Sequence, residues 1–162
     1  MNKQRLSIII PAYSEEENIP NLLKDISESF NNVESLEVII VDDGSPVQLT
    51  EFINTEDYDF EVKIYSNKYN LGQSKSIEIG IQHSNGNIIG LIDADCQNPP
   101  KELRKLYNLF IDSDFDAVIS YRKNRKDKLL RKLISKLANL ILKQFTKSKF
   151  KDLGSSLKVI KK

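Results

Sequence analysis

The feature that most constrains this chain is a series of short, unbroken apolar runs, rich in β-branched residues, separated by helix-like segments. Residues 6–10 (LSIII), 36–41 (LEVIIV), 60–65 (FEVKIY), 87–92 (NIIGLI) and 116–120 (DAVIS) read as strands. Their hydrophobicity is continuous rather than alternating, which suits strands covered on both faces. Between them, residues 15–30, 71–84 and 100–112 carry helical patterns. Asn70 is placed to cap the second helix, Pro100 suits the first turn of the third, and Gly86 lies just past the second. This β-α-β-α alternation predicts an α/β fold: an open, mostly parallel sheet flanked by helices, with right-handed crossovers.

After Ser120 the pattern changes. Residues 128–145 place Leu130, Leu133, Ile134, Leu137, Leu140 and Ile141 at amphipathic-helix spacing, with Arg131, Ser135 and Asn139 along one polar flank. A short strand over 156–160 is expected to close the chain.

A chain of 162 residues has the size of one domain with a substantial core. Net charge excludes little, because 24 Lys and Arg face 23 Asp and Glu. Their distribution says more: half the basic residues fall between Arg122 and Lys151, where Asp127 is the only acid. Such asymmetry points to an anionic partner at that end, such as lipid headgroups, a phosphorylated acceptor or nucleic acid. Nucleic acid is disfavoured, since no recognition motif or set of stacking aromatics accompanies the charge. Cys96 is the single cysteine, which fits a reducing compartment. The apolar run at 6–10 is too short for a signal peptide, and no segment approaches the roughly 20 apolar residues of a membrane span. Membrane association is therefore expected to be peripheral, or to use sequence beyond this chain.

In open α/β sheets, ligands bind beyond the carboxyl ends of the strands. Here those ends are acidic: Glu15 follows the first strand, Asp42 and Asp43 the second, and Asp93 and Asp95 the fourth. Clustered carboxylates repel unless a cation sits among them, and Mg²⁺ or Mn²⁺ takes one or two carboxylates together with substrate phosphates. The Asp93-Ala94-Asp95 pair suits that role, and Asp42 or Asp43 is placed to accept hydrogen bonds from a base or ribose. His83, the single histidine, lies near a helix end and reads as a surface residue rather than a base. Cys96 reads as filler rather than ligand.

Several blocks together resemble family 2 of the inverting glycosyltransferases, whose fold is called GT-A. They are Ser7–Tyr13 with Glu15, Glu16 and Asn18, then Val41–Ser45, Asn70–Gly72, and Asp93–Asp95 with Gln97 and the double proline. Ser120–Arg122, residues 125–139 and Lys151–Lys158 resemble the branch containing dolichol-phosphate mannose synthases and bacterial enzymes acting on undecaprenyl phosphate. The resemblance implies that Pro11, Tyr13, Glu15 and Asp43, with Asp42 and Ala94 close by, hold the nucleotide-sugar. It implies that Asp93, Asp95 and Gln97 bind Mg²⁺ or Mn²⁺ and, through it, the diphosphate. Arg122, Arg131 and Ser135 would hold the acceptor phosphate. Asp95, Arg122 and Asp152 are the residues expected nearest the reaction.

The implied reaction moves a sugar from a UDP- or GDP-linked donor to a polyprenyl phosphate with inversion, at the cytoplasmic face of a membrane, in cell-envelope synthesis. Relatives of this branch continue past the equivalent of Gly154–Lys158 with further helices, so the chain is expected to form one catalytic domain without that continuation. Two alternatives stay open: transfer to a hydroxyl acceptor, and a non-catalytic domain that binds a nucleotide-sugar or an anionic membrane. A phosphoryl or nucleotidyl transferase is disfavoured by the lack of a G-x-x-x-x-G-K loop.

Overall fold

The computed structural model describes residues 4–121 and 155–162. The chain falls into two compact units, residues 1–118 with 156–162, and residues 119–155. The first holds nearly all that follows. Its elements run β1 (Leu6–Ala12), α1 (Ile19–Phe30), β2 (Leu36–Asp42), β3 (Glu61–Ser66), α2 (Gln73–His83), β4 (Ile88–Leu91), α3 (Pro100–Ile111), β5 (Ala117–Ile119) and β6 (Lys158–Lys161). The strand order is β3-β2-β1-β4-β6-β5. β1 pairs in parallel with β2 and β4, β2 in parallel with β3, and β6 runs antiparallel beside β4. The open, mostly parallel α/β sheet expected from the sequence is present.

Strand β1 shows why continuous hydrophobicity was needed. Leu6, Ile8, Ile10 and Ala12 face a core shared with Leu22, Leu23 and Ile26 of α1 and Leu103 and Tyr107 of α3. Ile9 faces the other way, joining Ile89 and Leu91 against Ile77 and Ile81 of α2. Both faces of the strand are covered, so neither set of alternate positions can be polar without a partner. The same holds for β2, buried throughout. At the sheet edge, β3 is only half-buried, and its FEVKIY run mixes polar with apolar residues accordingly.

Two helix starts differ from the sequence expectation. Residues 15–18 form turns, and α1 begins at Ile19 with Pro20 in its first turn, where a missing N–H costs nothing. Helix α2 begins at Gln73 after Gly72, not after a side-chain cap from Asn70. Gly72 has φ 90°, a backbone region open mainly to glycine. The last strand is displaced by two residues at its start, to Lys158–Lys161. The amphipathic segment 128–145 lies outside the described residues.

Glu37, on β2, is fully buried at the end of the sheet opposite the acidic strand ends. It is matched by an unusually complete set of donors. Ser7, its register partner on β1, donates from Oγ, and Lys63 Nζ lies 2.9 Å away. Asn85 donates from its backbone N–H at 2.6 Å and its side chain at 3.1 Å, and Gly86 N–H at 3.2 Å. Burial alone would raise the carboxyl pKa. The hydrogen bonds from Ser7, Lys63 and Asn85, with the Lys63 charge, outweigh it and bring the pKa down to about 2.

Candidate active site

Strands β2, β1 and β4 are neighbours in that order, so their carboxyl ends open onto one edge of the sheet. A cleft of about 290 Å³ lies there. Pro11, Ala12, Tyr13 and Glu15 line it from the end of β1, and Asp43 from the end of β2. Asn70, Gly72, Gln73 and Ser76 contribute from the start of α2, and Asp93, Ala94 and Asp95 from the end of β4. Tyr13 is half exposed at the rim.

The chain must turn sharply at each of these strand ends. Among the described residues four have positive φ: Ser14 (55°), Gly44 (78°) and Cys96 (54°) lie in the loops after β1, β2 and β4, and Gly72 (90°) lies directly before α2. For Ser14 and Cys96 this conformation costs on the order of 1 kcal/mol or more each, strain of a kind that concentrates at functional sites. Gly44 is also packed too closely for any side chain: a Cβ there would sit 2.7 Å from the carbonyl carbon of Tyr69.

Asp43 holds this edge together. Its Oδ1 accepts the Leu71 N–H at 2.9 Å and Asn67 Nδ2 at 2.8 Å, and its Oδ2 accepts the Gly72 N–H at 2.7 Å. Burial works against its ionisation. The bonds from Leu71, Asn67, Gly72 and Ser76 more than compensate and hold the carboxyl below the usual aspartate range. Asp43 thus ties β2 to the segment that enters α2 while facing the cleft.

Asp42 and Asp43 divide the work. Asp42 is buried but stands outside the cleft lining, and its Oδ1 accepts the Ser45 N–H at 3.0 Å and the Ser45 hydroxyl. Ser45 Oγ in turn accepts the Ser14 N–H at 2.9 Å, so Asp42 braces the loops after β1 and β2.

At the end of β4, Gln73 Nε2 donates to Asp93 Oδ1 at 2.8 Å. Asp95 Oδ1 accepts the Gln97 N–H at 3.1 Å, a local turn that shapes the loop. Gln97 itself is exposed and outside the cleft lining, so its observed link to Asp95 is through its backbone. Desolvation, with the negative charges of Asp25, Asp95 and Glu15, pushes the Cys96 thiol pKa up, away from the thiolate form a metal would need. His83 ends α2, away from the cleft, with its ring stacked on Tyr65 at 4.1 Å between centroids.

Among the described residues no three His, Cys, Asp or Glu side chains are grouped to hold a metal. The cleft does contain an all-oxygen pair, Asp93 and Asp95. That set fits a hard divalent cation that takes two carboxylates and completes its shell from phosphate and water, as Mg²⁺ commonly does. It does not fit a cation held by protein ligands alone.

Of the residues expected from sequence, Pro11, Tyr13, Glu15, Asp43, Asp93, Ala94 and Asp95 are brought together. Arg122, Arg131, Ser135 and Asp152 lie outside the described residues. Sequence reasoning did not single out Asn67, Gln73 or Ser76 as site residues. The signal for Gln73 was its place directly after the Asn70-Leu71-Gly72 block at a helix start.

The sequence pattern of glycosyl transferase family 2 matches residues 7–160. The chain belongs to that family. Among curated relatives, the undecaprenyl-phosphate 4-deoxy-4-formamido-L-arabinose transferase of Salmonella paratyphi B is 32% identical over 163 residues, covering 98% of this chain and 49% of the relative. The chain spans about half the length of the curated relatives it matches. A mannosyltransferase from Pyrobaculum calidifontis, solved with GDP-Man and Mn²⁺, superposes with a TM-score of 0.72 at 19% identity, over 99% of this chain and 45% of that one. The glucosyl-3-phosphoglycerate synthase of Mycobacterium tuberculosis, solved with UDP, gives 0.70 at 19% identity, over 98% and 57%. The fold of this family 2 chain is therefore GT-A.

Proposed function

We propose that this family 2 chain binds a nucleotide diphosphate sugar and transfers the sugar, with inversion, to a polyprenyl phosphate. The observation that carries the donor half is the convergence of Asp43, Asp93 and Asp95 with Pro11–Tyr13 in one cleft at the carboxyl ends of β1, β2 and β4. The acceptor half is supported by the likeness to a transferase named for undecaprenyl phosphate. It is also supported by the basic stretch between Arg122 and Lys151.

Tyr13 offers a half-exposed ring at the rim for the nucleoside, and Asp43 orders the Leu71–Gly72 backbone beside it. Asp93 and Asp95 are the residues to hold Mg²⁺ or Mn²⁺. When bound, that ion supplies positive charge to the donor diphosphate.

The acceptor needs no protein base. A phosphate monoester has its second pKa near 6, so it arrives ionised. One of its oxygens forms a bond to the anomeric carbon. The bond from that carbon to the diphosphate oxygen breaks, and the nucleoside diphosphate leaves with the electron pair. Positioning and electrostatic stabilisation supply most of the rate. Arg122, Arg131 and Ser135 are assigned to the acceptor phosphate, and Asp152 to its vicinity. The setting proposed is the cytoplasmic face of a membrane, where the basic stretch meets anionic headgroups.

The test is transfer of labelled sugar from UDP- and GDP-sugars to undecaprenyl phosphate in anionic vesicles, with the anomeric configuration of the product read by NMR. A product inverted relative to the donor supports the proposal. Transfer only to hydroxyl-bearing glycans, or retained configuration, contradicts it.

A further inference from the structure

Gln73 is exposed to solvent, yet its amide is directed at a single acceptor, Asp93 Oδ1, at 2.8 Å. Its position is set from the other side of the cleft. Asp43 Oδ2 holds the Gly72 N–H at 2.7 Å, and Gly72, at φ 90°, turns the chain into α2 with Gln73 as its first residue. A continuous path of two hydrogen bonds and one peptide link therefore joins the carboxylate after β2 to the carboxylate after β4, past the intervening end of β1.

The donor in this path is a neutral amide. A lysine or arginine there would also hold Asp93, but it would cancel the negative charge that a cation needs. An amide orients the carboxylate without bringing a charge of its own. Partners that orient metal-binding carboxylates in this way typically affect metal affinity by 10- to 100-fold.

We infer that Gln73 is a positioning residue, which orients Asp93 for the cation and donor diphosphate and couples that carboxylate to the Asp43-ordered segment of the nucleoside side. This inference rests on the donor-site reading above.

The test is a Mn²⁺ titration of the full chain in the presence of UDP or GDP, with free Mn²⁺ read by electron paramagnetic resonance. Nucleotide affinity in chelator and thermal unfolding are measured alongside. Gln73→Ala is expected to weaken Mn²⁺ binding by about tenfold or more. Its nucleotide affinity in chelator and its unfolding temperature are expected to match the wild type. Gln73→Lys keeps an N–H donor but adds a charge, so it is expected to bind Mn²⁺ more weakly than Gln73→Ala.

If Gln73 served only to shape the helix start, Gln73→Lys would restore Mn²⁺ binding, and that result overturns the inference. Equal loss of nucleotide binding with and without Mn²⁺ in Gln73→Ala also overturns it, by making Gln73 a direct nucleotide contact. Wild-type Mn²⁺ affinity in Gln73→Ala overturns the inference but leaves the donor site standing. A wild-type chain that binds neither nucleotide with Mn²⁺ overturns the donor site and the inference together.

Discussion

Asp43 Oδ2 accepts the backbone N–H of Gly72 at 2.7 Å, so a residue at the end of β2 determines where α2 begins. The same carboxylate accepts the Leu71 N–H and the Asn67 amide and faces the cleft. Fold and site are therefore linked at one side chain.

Asp43→Ala is expected to destabilise the protein by about 2–4 kcal/mol, because it leaves the Leu71 and Gly72 N–H groups without their acceptor. The lowered pKa of Asp43 gives this a pH signature. The ionised carboxylate stabilises the fold above the ordinary aspartate pKa, and that contribution fades as pH falls through the lower folded value. Denaturant titrations of wild type and variant at pH 7 and at pH 3 should show a smaller gap at the lower pH.

Glu37 makes a larger and cleaner case at the far end of the sheet. Its pKa falls from 4.5 to about 2, corresponding to about 3 kcal/mol of stability at neutral pH. This is fully present above pH 4.5 and is lost as pH drops towards 2. Glu37→Gln, which also leaves Lys63 without its buried counter-charge, is expected to lose about 2–4 kcal/mol at pH 7 and to show a flatter stability profile between pH 5 and 2. Donor binding by the folded variant should be unchanged, since none of the partners of Glu37 lines the cleft.

Gly44→Ala tests the close approach of the β2 loop to the segment leading into α2. A methyl group there meets the Tyr69 backbone at 2.7 Å in a left-handed conformation. The expected loss is about 2 kcal/mol or more, through both steric overlap and backbone strain. Thermal unfolding measures it directly. An alanine variant of unchanged stability would mean the loop has room to withdraw.

How much of this was legible beforehand follows from the range over which each interaction acts. The strands β1, β2 and β4 were readable because burial on two faces demands continuous apolar residues, a local signal. The acidic strand ends were readable for the same reason: each lies directly after its run. Glu37 was not. Within LEVIIV it looks like any polar residue in a strand, and its partners Asn85 and Ser7 are 48 and 30 positions away. The different uses of Asp42 and Asp43 were also hidden, since adjacent side chains on a strand point opposite ways and only the packed loops show which one reaches the cleft. The start of α2 was misplaced because a carboxylate 29 residues upstream, rather than a nearby cap, fixes it.

Arg131→Ala separates the two halves of the proposed reaction. It is expected to spare donor binding and to reduce transfer to the lipid phosphate by at least tenfold, consistent with loss of a charge-assisted bond of about 1.5–3 kcal/mol. Binding by calorimetry and transfer by product formation are compared on the same preparation. Equal loss of both would move Arg131 to the donor side.

The most direct measurement is calorimetric titration of wild type and Asp95→Ala with UDP-sugars and GDP-sugars, first with Mn²⁺ and then with a chelator. The donor-site account predicts that the wild type binds one nucleotide class much more tightly with Mn²⁺ than in chelator, and that Asp95→Ala folds normally but loses that Mn²⁺-dependent gain. Binding equally tight in the chelator, or a Mn²⁺-dependent gain that Asp95→Ala retains in full, would contradict it.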